Sequence, residues 1–156
     1  MTKIEAINEL KASQKFFETS TSCLTDEDSS FTPKEGLYTV ANHVAHVAQT
    51  IDWFFYGAYS EKGFDMDFDK HIEETKKVIS YDSAKDWFNK AIENAIKVIE
   101  EGSEEDFQKP IAEGTIMGGA PRYSIIGAIT EHTAHHRGTL SVYSRLIGKE
   151  PKMPYM

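Results

Sequence analysis

Glu131-His132-Thr133-Ala134-His135-His136-Arg137-Gly138-Thr139-Leu140 is the stretch from which the fold of this 156-residue chain is read. Apolar residues flank it at helical spacing, with Ile125 and Ile129 before it and Leu140, Tyr143 and Ile147 at and beyond its end; His132 and His136 fall in the same stripe. The spacing predicts a helix that turns both imidazoles inward, one turn above the other, which is how a helix offers two ligands to a single ion. His135 lies about 100° round the helix from His136 and points to the edge of the stripe. The competing reading is a pair of core histidines hydrogen-bonded to neighbours. A second buried imidazole doubles the desolvation cost unless something coordinates it, which favours the ion.

Composition sets the outer limits. The length suits one domain over residues 1–156, and 40% hydrophobic with 27% charged residues is an ordinary globular composition. A formal charge of -8 and a pI near 5.2 leave no basic footprint for nucleic acid or for an anionic membrane. The single cysteine, Cys23, forms no internal disulfide and has no identifiable base beside it. Without an apolar signal core near Met1 or a run of about 18 apolar residues, a cytoplasmic protein is expected.

Working outward, Ile4, Ile7, Leu10, Phe16 and Phe17 mark a first helix from about Lys3 to Ser22. Thr25-Asp26-Glu27-Asp28-Ser29-Ser30 is a polar break, read as a solvated loop or a helix cap. A second helix, about Leu37 to Tyr59, is apolar on most sides and carries His43 and His46. Periodicity does not choose between them as a third ligand, because both lie on the flank of the Val40 stripe.

The connection from Ser60 to Ser83 is long enough to hold a short helix near Asp69 to Ile79 and to travel back along the bundle. Asp65, Asp67 and Asp69 begin like a calcium loop, but Lys70 and Lys76 stand where glycine and glutamate are needed. A third helix, about Ser83 to Glu101, is expected with Ser83 as N-cap and Gly102 as its stop. A second long link holds the Gly118-Gly119 turn; Pro121 suits the start of the fourth helix, which runs to about Ile147 and ends at Gly148.

Four long helical stretches without persuasive strands predict an all-α four-helix bundle. Such a bundle builds metal sites from facing helices, and three neutral imidazoles leave a coordination position open. Neither Glu-x-x-His nor His-Glu-x-x-His occurs, which argues against a di-iron oxidase or a zincin peptidase. Three imidazoles suit zinc, nickel, copper or iron about equally. Arg137 is read either as orienting an anion or, the favoured reading, as pairing with a surface carboxylate, and Gly138 is expected to admit a neighbouring helix closely.

The run His132-Thr133-Ala134-His135-His136-Arg137-Gly138, followed by Val142-Tyr143-Ser144-Arg145-Leu146-Ile147-Gly148, resembles the last helix of the DinB/YfiT-like proteins. Thr39-Val40-Ala41-Asn42-His43-Val44-Ala45-His46-Val47-Ala48, leading to Trp53-Phe54, is similar to that family's second helix, and the likeness extends to the tail Pro151 to Met156. The resemblance implies an up-down-down-up bundle with a long crossover between the second and third helices, and often a homodimer. It also implies His46, His132 and His136 as ligands of one divalent metal, with zinc or nickel ahead of iron or manganese. The implied activity is that of a thiol-dependent transferase acting on a small electrophile, with a low-molecular-weight thiol as cosubstrate. A metal-dependent hydrolase and a noncatalytic metal- or ligand-binding dimer in stress response are the alternatives. Thr139 stands where the family often has glutamine, so a contact from that position is not carried over.

Overall fold

The computed structural model describes residues 1–114 and 116–155; Met156, the last residue of the tail compared above, lies outside them. Among the described residues the helices are α1 (Lys3–Thr21), α2 (Val40–Tyr59), α3 (Phe68–Lys76), α4 (Tyr81–Glu101), α5 (Glu104–Gln108) and α6 (Ser124–Leu146), with a 3-10 turn at Asp26–Asp28. Local chemistry sets most starts. Thr2 and Glu5 close a reciprocal capping box on α1, Thr39 accepts from the Asn42 amide at the head of α2, and Asp67 does the same for Lys70 in α3.

Contacts between side chains give the helix directions pair by pair. Lys3 Nζ donates to the carbonyls of Glu100 and Gly102, while Phe17 packs on Phe88 with ring centroids 4.7 Å apart, so α1 and α4 run antiparallel. Thr130 bonds Glu9 and Arg137 lies over Phe16, so α1 and α6 run together. His46 meets His132 and His43 meets Tyr143, which makes α2 and α6 antiparallel. Asn42 Nδ2 donates to the carbonyls of Thr75 and Val78, just ahead of α4, and Trp87 donates to Asp52, so α2 and α4 are parallel. Parallel neighbours need a returning connection, and the segment carrying α3 supplies it. The apolar faces of these helices meet in one buried cluster containing Leu10, Phe17, Val44, Ile51, Phe88, Ile92, Ile126 and Leu140.

Several local expectations shift. α4 starts at Tyr81 with Ser80, not Ser83, as its cap: Ser80 Oγ accepts from the Ser83 amide. Tyr81 is buried and its hydroxyl donates to the Thr21 carbonyl, so tertiary packing selects the earlier serine. Asp26 is a cap in its own right, accepting from Ser80 Oγ at 2.7 Å and from the Asp82 amide, which sets a carboxylate at the positive end of α4.

α6 begins at Ser124 rather than Pro121. Pro121 forms an isolated antiparallel bridge with Pro110, and the Arg122 and Tyr123 amides donate to Lys109 and Phe107, so these residues close the preceding loop instead of opening the helix. Helix α5 was not anticipated; five residues are too short for periodicity to register. A Cβ on Gly138 would meet nothing within 4 Å, which removes the expected close helix approach there. Close approach occurs at Gly57, where a Cβ would lie 2.2 Å from the Phe64 ring. Arg137 makes no ion pair among the described residues and instead lies 5.8 Å over the Phe16 ring. No helix among them is long and apolar enough to cross a membrane.

Candidate metal centre

Antiparallel packing of α2 against α6 brings His46, His132 and His136 together, with one ring nitrogen from each lying within 4.8 Å of the others. His132 and His136 stand one turn apart, ring centroids 4.5 Å from each other. The His46 ring lies across the pair, 5.0 Å from His132 and 4.9 Å from His136. Nε2 of His46 is 3.2 Å from Nε2 of His132. Two nitrogens bound at 2.0–2.1 Å to one tetrahedral ion stand about 3.4 Å apart, so this pair already has the spacing of two ligands on a common centre. His135 is exposed, touches His136 with its ring edge at 5.0 Å and stays out of the cluster.

Burial keeps the rings neutral. It lowers His132 to about 4, with smaller contributions from His46 and His135. His136 is pushed down to about 2 by burial and then by the surrounding histidines, and His46 is lowered by burial as well. A neutral imidazole has one nitrogen with a free lone pair, which is the protonation state a metal requires.

His43, left open by periodicity, stands behind the cluster. Its Nδ1 is 3.0 Å from His136 Nδ1 and its Nε2 is 3.3 Å from the Tyr143 hydroxyl. The Tyr143 hydroxyl donates to the Tyr38 carbonyl at 3.2 Å. A carbonyl only accepts, so the Tyr143 proton is committed to it and the hydroxyl oxygen accepts from His43 Nε2–H. His43, neutral with its value lowered to about 4 by burial, then has its lone pair on Nδ1 and accepts from His136 Nδ1–H. The chain therefore protonates His136 on Nδ1 and leaves the lone pair on Nε2 free. Orientation of a ligating histidine through its other nitrogen is the usual outer support of a metal site.

These observations answer whether the residues fit a metal: three neutral nitrogen donors converge, one pair is at ligand spacing, and the third has its tautomer imposed from behind. Tyr143 was read in sequence as one more apolar stripe residue. Its i+7 spacing from His136, which returns a helix to the same face, is the signal that could have marked it. Tyr38 completes the surroundings, its ring lying 5.5 Å from His43 and 5.3 Å from His46.

With this geometry in view, comparison with known proteins gives a consistent relationship. Residues 9–140 match the family model described as the DinB superfamily. The fold is similar to the crystal structure of a protein from Streptococcus pneumoniae, with 14% identity, coverage of 94% of this chain and 92% of that one, and a TM-score of 0.76. It is also similar to a DinB-like protein from Bacillus cereus, with 20% identity, 94% and 89% coverage, and a TM-score of 0.67. At these identities the likeness to the two structures concerns the fold alone. No curated protein matches the chain.

Proposed function

The chain belongs to the DinB superfamily, and on that premise we propose that it is a metal-dependent transferase in which a low-molecular-weight thiol attacks a small electrophile. His46, His132 and His136 would hold one divalent ion, zinc or nickel ahead of iron or manganese. The observation that carries this reading is the 3.2 Å approach of Nε2 of His46 to Nε2 of His132, two donors from separate helices aimed at one point. When bound, such an ion supplies the positive charge that keeps a thiol or a water ionised near neutral pH.

The protein's own contribution is positional. Three neutral imidazoles add no negative charge, so none of the ion's charge is cancelled by its ligands. His43 and Tyr143 hold the His136 proton on Nδ1 and so keep Nε2 free. His46 and His132 keep partial exposure while His136 and His43 are buried, which gives a small substrate access from the first pair and a rigid backing behind the second.

The test is metal analysis of protein purified without a histidine tag, followed by assays with and without added thiols. One metal per chain, lost in His46→Ala, His132→Ala and His136→Ala but kept in His135→Ala, is the expected result. Equal loss in all four variants would refute the assigned donor set. Turnover of electrophilic esters without thiol would replace the transferase by a hydrolase, and tight metal binding with no turnover of either kind would leave a noncatalytic binder. A homodimer belongs to the same proposal; light scattering should then give twice the 17.6 kDa chain mass.

A further inference from the structure

A groove of about 930 Å³ opens where the last turns of α1 and α6 meet the C-terminal tail. Its size falls within the range of small-molecule sites, and no member of the three-histidine cluster lines it. Arg137 follows His136 in the chain but leaves α6 on the α1 side, over Phe16. The charged lining is Arg137, Arg145, Lys152 and Glu150, the hydroxyls are those of Ser20 and Ser141, and the remaining surface is Gly138 and apolar side chains of the tail.

The three cations are not engaged elsewhere. Among the described residues none of them forms an ion pair, with Glu150 or with any other carboxylate. Three cations against one carboxylate leave a local positive excess in a chain whose net charge is -8. Such a chain repels anions at long range, so a patch of reversed sign is where one can be held.

The donors also converge on one level of the bundle. Helices α1 and α6 run together with Phe16 under Arg137, so Ser20, one turn on, stands level with Ser141. Arg145 Nη1 donates to the Ser141 carbonyl at 3.1 Å, which folds the guanidinium back toward that level and leaves the rest of its fork free. Ser141 Oγ spends its proton on the Arg137 carbonyl. The hydroxyl proton still available is that of Ser20, which is only 3% exposed and has no side-chain hydrogen bond among the described residues. The carbonyls of Phe17, Thr19 and Thr21, at the negative end of α1, are covered by the hydroxyls of Thr21, Ser22 and Tyr81.

We propose that this groove binds a phosphate group, free or carried by a small phosphate monoester, with Arg137, Arg145 and Lys152 on its oxygens and Ser20 donating its hydroxyl. A phosphate monoester carries about -1.5 to -2 charges near neutral pH, which matches the local excess, and its oxygens suit guanidinium forks. An elongated dianion such as succinate would separate its charges, whereas these donors meet at one level. The assignment makes no use of the metal centre and stands or falls separately.

Calorimetric titration of the full chain with phenyl phosphate, at two temperatures, tests it, with inorganic phosphate, succinate, benzoate and benzyl alcohol in parallel. The expected result is saturable binding of phenyl phosphate, at least about tenfold tighter than succinate, benzoate or benzyl alcohol. Weaker binding of inorganic phosphate assigns an ester whose organic body lies on the tail; equal or tighter binding assigns the free ion. Arg137→Gln and Arg145→Gln should each weaken binding by about tenfold, with melting curves confirming the fold. Lys152→Gln, on the exposed tail, should weaken it as well, with no core contact at risk. His132→Ala should bind phenyl phosphate as the parent does. Any of four outcomes overturns the proposal: no saturable binding at either temperature, succinate, benzoate or benzyl alcohol binding as tightly as phenyl phosphate, any one of the three Gln variants retaining full affinity, or loss of binding in His132→Ala.

Discussion

Helix α2 packs against two long neighbours, and the two seams are built differently. Toward α6, a helix of 23 residues against its own 20, it presents His43 and His46 to imidazoles, so every donor is anchored by regular backbone, with the helical side chains of His43 and Tyr143 behind His136. Toward α4 it presents Asp52 and Trp53 to a cleft whose far wall is a nine-residue helix and its preceding loop, pinned through the Asp65 carbonyl by Trp53 and His71. The first gathers neutral ring nitrogens within the reach of one ion, and the second lines a cleft with indole faces, carboxylates and two lysines. The lesson is that one helix can carry hard positional precision on one side and an adaptable wall on the other, according to the length of what packs against it.

The sharpest way to break this contrast is to remove a donor. His136→Ala should lower metal affinity by more than about 100-fold, beyond the loss expected for an outer-shell partner, while the fluorescence of Trp53 and Trp87 in the cleft is unchanged. Chelator competition against a zinc indicator measures the first and emission spectra the second. A parallel change in both would mean that the two seams are one cooperative unit.

The converse substitution is Gly57→Val. Its Cβ would displace Phe64, which packs on Trp53 with centroids 4.6 Å apart, so the cleft wall should shift and the fold lose about 1–3 kcal/mol in urea unfolding. Metal stoichiometry should hold. A smaller effect is expected from Tyr143→Phe, which removes the hydroxyl that orients His43: metal affinity should fall by about tenfold. If the affinity does not move, the hydrogen-bond chain behind His136 has no role in presenting Nε2.

The smallest and most general effect is on pH. In the folded, metal-free chain His43 and His132 lie near 4 and His136 lower still, against 6.5 unfolded. The unfolded state therefore binds more protons between about 6.5 and about 4, so stability is fully present above that window and is lost as pH falls through it. Urea midpoints measured across the window should decline toward the acid side, and saturating zinc should steepen that decline, since protons and the ion compete for the same nitrogens. Midpoints that stay level from pH 7 to 4 would show that the rings are not held neutral by burial.

Much of this was legible before the structure. The stripe of α6, the amphipathic pattern of α4 and the long α2–α4 connection all follow from periodicity and length. The cap of α4 did not, because Ser80 and Ser83 are equally good caps locally and the burial of Tyr81 decides between them. Neither did the close approach at Gly57 rather than Gly138, since a glycine reports permission for contact and not the presence of a neighbour. The cleft left no signal at all: Asp52, His71 and Glu74 come from two helices whose relative placement no local pattern encodes.

By itself the sequence determined that His132 and His136 share one face of a helix, because 3.6 residues per turn is a property of the local backbone. Which α2 histidine joins them, and which stands behind, was decided only when α2 and α6 packed antiparallel at one particular offset. Sliding one helix by a turn would exchange the roles of His43 and His46 without altering any local preference, so that choice belongs to the packed core.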